Sequence, residues 1–75
     1  RNKMKLCQIK GPYIQLNQLL KLEDLASTGG QARAMIEEGQ VKVNGEVTYV
    51  IRKKLYQGDT VEANGQTLKV EIEEE

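Results

Sequence analysis

The stretch Gln31-Ala32-Arg33-Ala34-Met35-Ile36-Glu37-Glu38-Gly39-Gln40-Val41-Lys42-Val43-Asn44-Gly45 changes period in its middle, and that change decides the fold. Ala32, Met35 and Ile36 recur at spacings of three and four, the buried stripe of a helix, while Gly30, Arg33 and Glu37 share the opposite, solvent face. Gly39 is the natural C-terminal stop. Beyond it the period is two: Val41 and Val43 flank Lys42, and Asn44-Gly45 is the strongest short hairpin signal. A helix handing over to a hairpin within fifteen residues predicts an α+β domain.

Working outward, Ser27-Thr28 supplies hydroxyls that can cap the free N–H groups of this helix, and Leu25 to Gly30 reads as the linker leading to it. Leu16, Leu19 and Leu20 give one apolar face to an earlier helix from about Gln15 to Leu22, two turns long and dependent on tertiary support. Before it, Met4 to Ile9 alternates as a half-buried strand, stopped by Gly11-Pro12. After Gly45, Val47, Tyr49 and Ile51 alternate. A strict two-residue turn would pair Val43 with Glu46 and put Val47 on the face opposite Val43, so a bulge or longer loop is expected. At Asn64-Gly65 there is no such conflict, because pairing Ala63 with Gln66 and Val61 with Leu68 puts Val61, Ala63, Leu68, Val70 and Ile72 on one face. The expected order is one strand, two short helices, then four short strands, with the helices packed on one side of a small, mostly antiparallel sheet.

Seventy-five residues allow a single domain, 1–75, with a small core and little room for a large substrate pocket. The chain has no His, Trp or Phe, and one Cys, so no Ser-His-Asp or Cys-His device and no Cys/His zinc site can be assembled. No catalysis and no cofactor are expected. Cys7 reads as a partly buried, inert thiol. The absence of a signal peptide and of an 18-residue apolar run predicts a soluble, cytoplasmic protein without a membrane partner. Met4 is a position from which translation could start.

The eleven basic and eleven acidic side chains cancel, yet Glu71, Glu73, Glu74 and Glu75 crowd the last five residues and leave residues 1–70 with a charge of +4. The 71–75 tail reads either as a solvated end or as a screen over a basic face. Arg52-Lys53-Lys54 is the one run of three like charges in the body, and in a strand Arg52 and Lys54 would form a two-cation ridge. Thr28-Gly29-Gly30-Gln31 opens a helix whose N–H groups suit a phosphate, with Arg33 one turn along. Lys42 must face away from its valines; Lys21 and Lys10 carry no motif of their own. Lys21, Arg33, Lys42, Arg52, Lys53 and Lys54 are expected to contribute to one basic face. The acid pairs Glu23-Asp24 and Glu37-Glu38 read as solvated surface, and Tyr13, Tyr49 and Tyr56 as too dispersed for a base-stacking platform.

Gln15-Leu16-Asn17-Gln18-Leu19-Leu20, the Ala32-Arg33 to Asn44-Gly45-Glu46 string, and Tyr56-Gln57-Gly58-Asp59-Thr60-Val61 together resemble the S4 RNA-binding domain over residues 14–63, most like the small free-standing bacterial S4 proteins. The resemblance implies the S4-like αL motif and non-catalytic binding of structured RNA, ribosomal RNA or tRNA, with the ribosome or its precursor as the setting. It supports Gly29, Gly30, Arg33, Lys42 and Asn44 as RNA-binding residues. Many S4 domains carry an Arg where Gln15 stands and another at or next to Gly29; this chain has neither, so its grip should lean on backbone N–H groups and on Arg52, Lys53 and Lys54. The alternative is a protein-interaction module that keeps the S4 shape without RNA binding.

Overall fold

The computed structural model describes residues 4–73; Arg1 to Lys3 and the tail acids Glu74 and Glu75 lie outside them. The chain runs β1 (Met4–Lys10), β2 (Ile14–Gln15), α1 (Leu16–Leu22), α2 (Gly29–Glu37), β3 (Lys42–Val43), β4 (Glu46–Val47), β5 (Lys54–Leu55), β6 (Thr60–Ala63) and β7 (Gln66–Glu73). Five strands form one sheet in the order β1-β7-β6-β3-β4, antiparallel except where β1 lies parallel to β7; β2 and β5 form a separate two-stranded ladder. The expected two helices on a mostly antiparallel sheet are present, with five strands after the helices instead of four.

Neither helix is long enough to stand alone in water. Leu16, Leu19 and Leu20 of α1 and Ala32, Met35 and Ile36 of α2 meet the inner face of the sheet, Cys7, Ile9, Val43, Val61, Ala63, Leu68 and Val70, in one buried cluster. Leu25 and Ala26 are buried there too, so the segment between the helices is core and not a free linker. Full burial of each leucine contributes roughly 1.5–3 kcal/mol, which offsets what such short helices lack in propagation.

Both helices end in the same way. At α2 the Gly39 N–H donates to Ile36 and the Gln40 N–H to Met35, with Gly39 at φ 75°. At α1 the Asp24 N–H donates to Lys21 and the Leu25 N–H to Leu20, and Asp24 holds φ 62°. These are Schellman closures, in which a left-handed residue lets the chain reverse and satisfy the last carbonyls.

The turn at Asn64-Gly65 has the expected register, Ala63 opposite Gln66 and Val61 opposite Leu68. At Asn44-Gly45 the expected bulge is absent. Val43 pairs with Glu46 and Lys42 with Val47 in a strict two-residue turn, and Val47 is left 42% exposed. The reason is the turn itself: Asn44 and Gly45 hold φ 52° and 85°, both positive as the favoured hairpin turn requires. Side-chain bonds from Asn44 to the neighbouring strand fix that turn. Leaving one valine partly in water forgoes only about 1 kcal/mol, less than an undone turn would lose.

Candidate nucleic-acid interface

The entrance to α2 is built as its sequence suggests. The Thr28 hydroxyl accepts from the Gln31 N–H at 3.1 Å, and the Gln31 carboxamide oxygen accepts from the Ser27 N–H at 2.7 Å. Gly29 and Gly30 have no such partner for their amides among the described residues. A Cβ at Gly29 would meet open space, and one at Gly30 only Thr28 Oγ1 at 3.8 Å. Arg33, on the exposed face one turn on, donates to Glu37 at 3.1 Å. At an exposed i,i+4 spacing that pair contributes a few tenths of a kcal/mol, so a stronger anion can compete for the guanidinium.

Arg52-Lys53-Lys54 does not form one strand, contrary to expectation. Ile51-Arg52 is a turn, closed by the Lys53 N–H on Val50 at 3.4 Å, and only Lys54 enters β5. The segment is fastened to the start of α1: the Leu16 N–H donates to Lys53 at 2.8 Å and the Asn17 N–H to Ile51 at 3.2 Å. Backbone N–H groups that a helix start leaves unpaired are thus satisfied by the basic segment's carbonyls. Arg52 and Lys54 are exposed and Lys53 is half-buried. Among the described residues none of the three forms an ion pair. Lys53 lines an open cleft with Asn44, Glu46, Val47 and Thr48.

Lys42 is exposed on the sheet face away from the helices, in register with Glu62 of β6 and Val47 of β4. Lys21 is exposed in the last turn of α1. Asn44 is engaged in structure: its Nδ2 donates to Asp59 at 3.2 Å, and its Oδ1 accepts from the Thr60 N–H at 2.9 Å and the Thr60 hydroxyl at 3.3 Å. The residues singled out from the sequence therefore fall into an α2 entrance with Arg33, a loop cluster at 52–54 beside the Asn44 turn, and Lys42 on the outer sheet.

Two further expectations do not hold. Glu23 is not solvated surface: its side chain is 13% exposed and accepts from Lys5 Nζ at 2.9 Å, tying β1 to the end of α1. That hydrogen bond, with the carboxylate's charge, raises the Lys5 pKa. Nearby Cys7, 1% exposed, is pushed up from 9.0 to about 11, first by burial and then by the Glu23 charge, so it stays a neutral thiol at ordinary pH. The tyrosines are not all dispersed either. Tyr13 and Tyr56 lie with ring centroids 6.0 Å apart, and Lys54 Nζ sits 5.0 Å from the Tyr13 centroid. The signal was the β2–β5 ladder, whose two-residue strands are too short for any periodicity to reveal.

Among the described residues no group of three or more His, Cys, Asp or Glu side chains could hold a metal ion, and no helix is long and apolar enough to cross a membrane.

Comparison with known proteins agrees with this architecture. "Putative RNA-binding protein YbcJ" of Escherichia coli (strain K12) is 44% identical over 61 residues, 81% of this chain and 87% of that protein. "Probable ribosome maturation protein RlbA" of Bacillus subtilis (strain 168) is 44% identical over 52 residues, 69% of this chain and 73% of that one. The solution structure of E. coli YbcJ, described as revealing an αL (ALFAL) motif involved in RNA binding, superposes with a TM-score of 0.70 at 39% identity, covering 93% of this chain and 90% of that one. The family model for the S4 domain matches residues 7–71, which takes in every described element except the ends of β1 and β7. With the S4 family model spanning residues 7–71, a relative 44% identical over 81% of the chain and a shared fold of two helices on a mostly antiparallel sheet, the chain belongs to the S4 domain family.

Proposed function

We propose that this protein is a non-catalytic binder of structured RNA, ribosomal RNA or tRNA, which it grips by the phosphate backbone. The observation that carries the reading is membership of the S4 family over residues 7–71, in a chain whose relatives are named for RNA binding and for ribosome maturation. The placement of charge supports it. Arg52, Lys53 and Lys54 are held on a fastened loop without acidic partners among the described residues, and the free Gly29 and Gly30 amides open α2 beside Arg33. A cationic surface of this kind suits the form of double-helical RNA, which is recognised mainly by shape, phosphates and 2′-hydroxyls. Lys21, exposed at the end of α1, and Lys42, on the outer sheet, offer further cations, and a ribosomal precursor is the setting that the RlbA relative suggests.

The test is a titration of structured RNA at several salt concentrations. Affinity should fall steeply with salt, and changing Arg52, Lys53 and Lys54 together to Gln should flatten the log–log slope by up to about 0.9 per lost phosphate contact on a duplex. An affinity insensitive to salt would overturn the reading. It would favour a protein-interaction module instead, for which Val47, Tyr49 and Val50, exposed beside the free edge of β4, are the observation in support.

A further inference from the structure

We infer that Tyr56, backed by Tyr13 and flanked by Lys54, is a stacking seat for an unpaired RNA base. This deepens the RNA-binding reading and rests on it. The seat follows from register. In the β2–β5 ladder Ile14 lies opposite Leu55 and Gln15 opposite Lys54, which puts Tyr13 and Tyr56 at the next antiparallel position. Side chains alternate along a strand, so buried Leu55 and partly buried Ile14 point to the core while Tyr13, Tyr56, Gln15 and Lys54 share the outer face.

The ring planes are 55° apart, so Tyr13 does not cover Tyr56 as a parallel ring would, and Tyr56 stays 50% exposed. Its backbone is pinned: the Tyr56 N–H donates to the Asp59 carboxylate at 2.8 Å, and the Asp59 N–H donates back to the Tyr56 carbonyl at 3.0 Å. A half-exposed aromatic on a fixed backbone gives little to the core and loses little entropy when a second π-face covers it. Lys54 Nζ, 5.0 Å from the Tyr13 centroid, is placed to meet the phosphate of a nucleotide whose base lies on the rings. Exposed Arg52 and half-buried Lys53 precede it directly in the chain. A paired base inside a duplex offers no free face, so the inference specifies the RNA further: a helix interrupted or ended by an unpaired nucleotide.

The experiment compares two RNA hairpins, one with a single bulged adenosine and one fully paired, against the parent, Tyr56→Ala, Tyr56→Phe and Lys54→Gln at one low salt concentration. The parent should prefer the bulged hairpin. Tyr56→Ala should bind it about tenfold more weakly and bind the paired hairpin within about twofold of the parent, the range stacking losses span. Tyr56→Phe should keep the preference, and Lys54→Gln should weaken both RNAs. Tyrosine emission offers a second readout, since the chain has three Tyr and no Trp, and bulged RNA should quench the parent more than Tyr56→Ala. If Tyr56→Ala, folded by circular dichroism, binds both hairpins as the parent does, or loses both equally, the stacking seat is overturned while RNA binding stands. If the parent binds neither hairpin, both readings fall.

Discussion

Asn44 carries the sharpest stability prediction, because one side chain closes one turn onto the next. Its carboxamide gives a hydrogen to Asp59 at 3.2 Å and takes the Thr60 N–H at 2.9 Å, across fifteen and sixteen residues of chain, while its own backbone sits at φ 52°. Asn44→Ala removes these bonds, together with the longer one from the Thr60 hydroxyl at 3.3 Å that shares the same acceptor, and puts a Cβ-bearing residue without side-chain compensation in the left-handed region. At about 1 kcal/mol net per bond and about 1 kcal/mol for the backbone, the loss should be about 2–3 kcal/mol. Asn44→Gly removes the same bonds without the backbone term and should lose about 1–2 kcal/mol. Asn44→Asp keeps the acceptor for Thr60 but sets a carboxylate against Asp59, and should lie near the alanine variant at neutral pH and recover toward the parent in mild acid. A domain of this size is worth only about 4–11 kcal/mol in all, so each loss is visible. Urea melts followed by circular dichroism, with unchanged m-values, measure it. An alanine variant within about 0.5 kcal/mol of the parent would refute the reasoning, since this is the spread of ordinary surface changes. A folded Asn44→Gly protein that keeps its RNA affinity would place Asn44 in the scaffold and not among the RNA contacts.

Three further outcomes are expected. Gly30→Asp should weaken RNA binding while stability holds or rises by about 0.3–1 kcal/mol, because a carboxylate suits a helix N-terminus and Gly30 is not among the positive-φ residues; RNA binding equal to the parent's would remove the α2 entrance from the mechanism. Asp24→Gly should stabilise the fold by up to about 1 kcal/mol, by relieving φ 62° at the end of α1, and so raise the melting temperature; a lower melting temperature would show that the Asp24 side chain matters more than its backbone. The raised Cys7 pKa stabilises the fold fully below about pH 9, where the thiol is neutral in both states, and that contribution is lost as pH climbs through about 11. Cys7→Ala lacks this loss, so the stability difference between parent and variant should shrink by at most about 2–3 kcal/mol over that window; a constant difference would show that the thiol does not titrate with folding.

Local features are legible from the residues alone. The stripe of Ala32, Met35 and Ile36, the leucines of α1, the Gly39 stop and the Val61–Leu68 register at Asn64-Gly65 all follow from side-chain period and turn chemistry within a few residues. So does the exposure of Arg33, Lys42, Arg52 and Lys54, while Ser27-Thr28 offers two caps for α2 and Thr28 is the one used. Who meets whom across the chain is set by long-range packing. Nothing near Met4–Lys10 says that it will lie parallel to Gln66–Glu73, and only that pairing, with α1 ending beneath it, buries Cys7 and gives Glu23 its partner in Lys5. Val47 follows the same logic in reverse: periodicity assigned it inward, and the Asn44 turn, fixed from Asp59 and Thr60, put it on the outer face. The cationic loop and the tyrosine pair are the furthest from legible. β2 and β5 have two residues each and lie about forty positions apart in sequence, so they have no period to read; Ile14 and Leu55 bring them to the same core, and the Leu16 and Asn17 amides fasten the adjoining 51–53 segment. Local steric preference chooses the elements; long-range burial chooses their neighbours, and the residues proposed to hold RNA are set by the second.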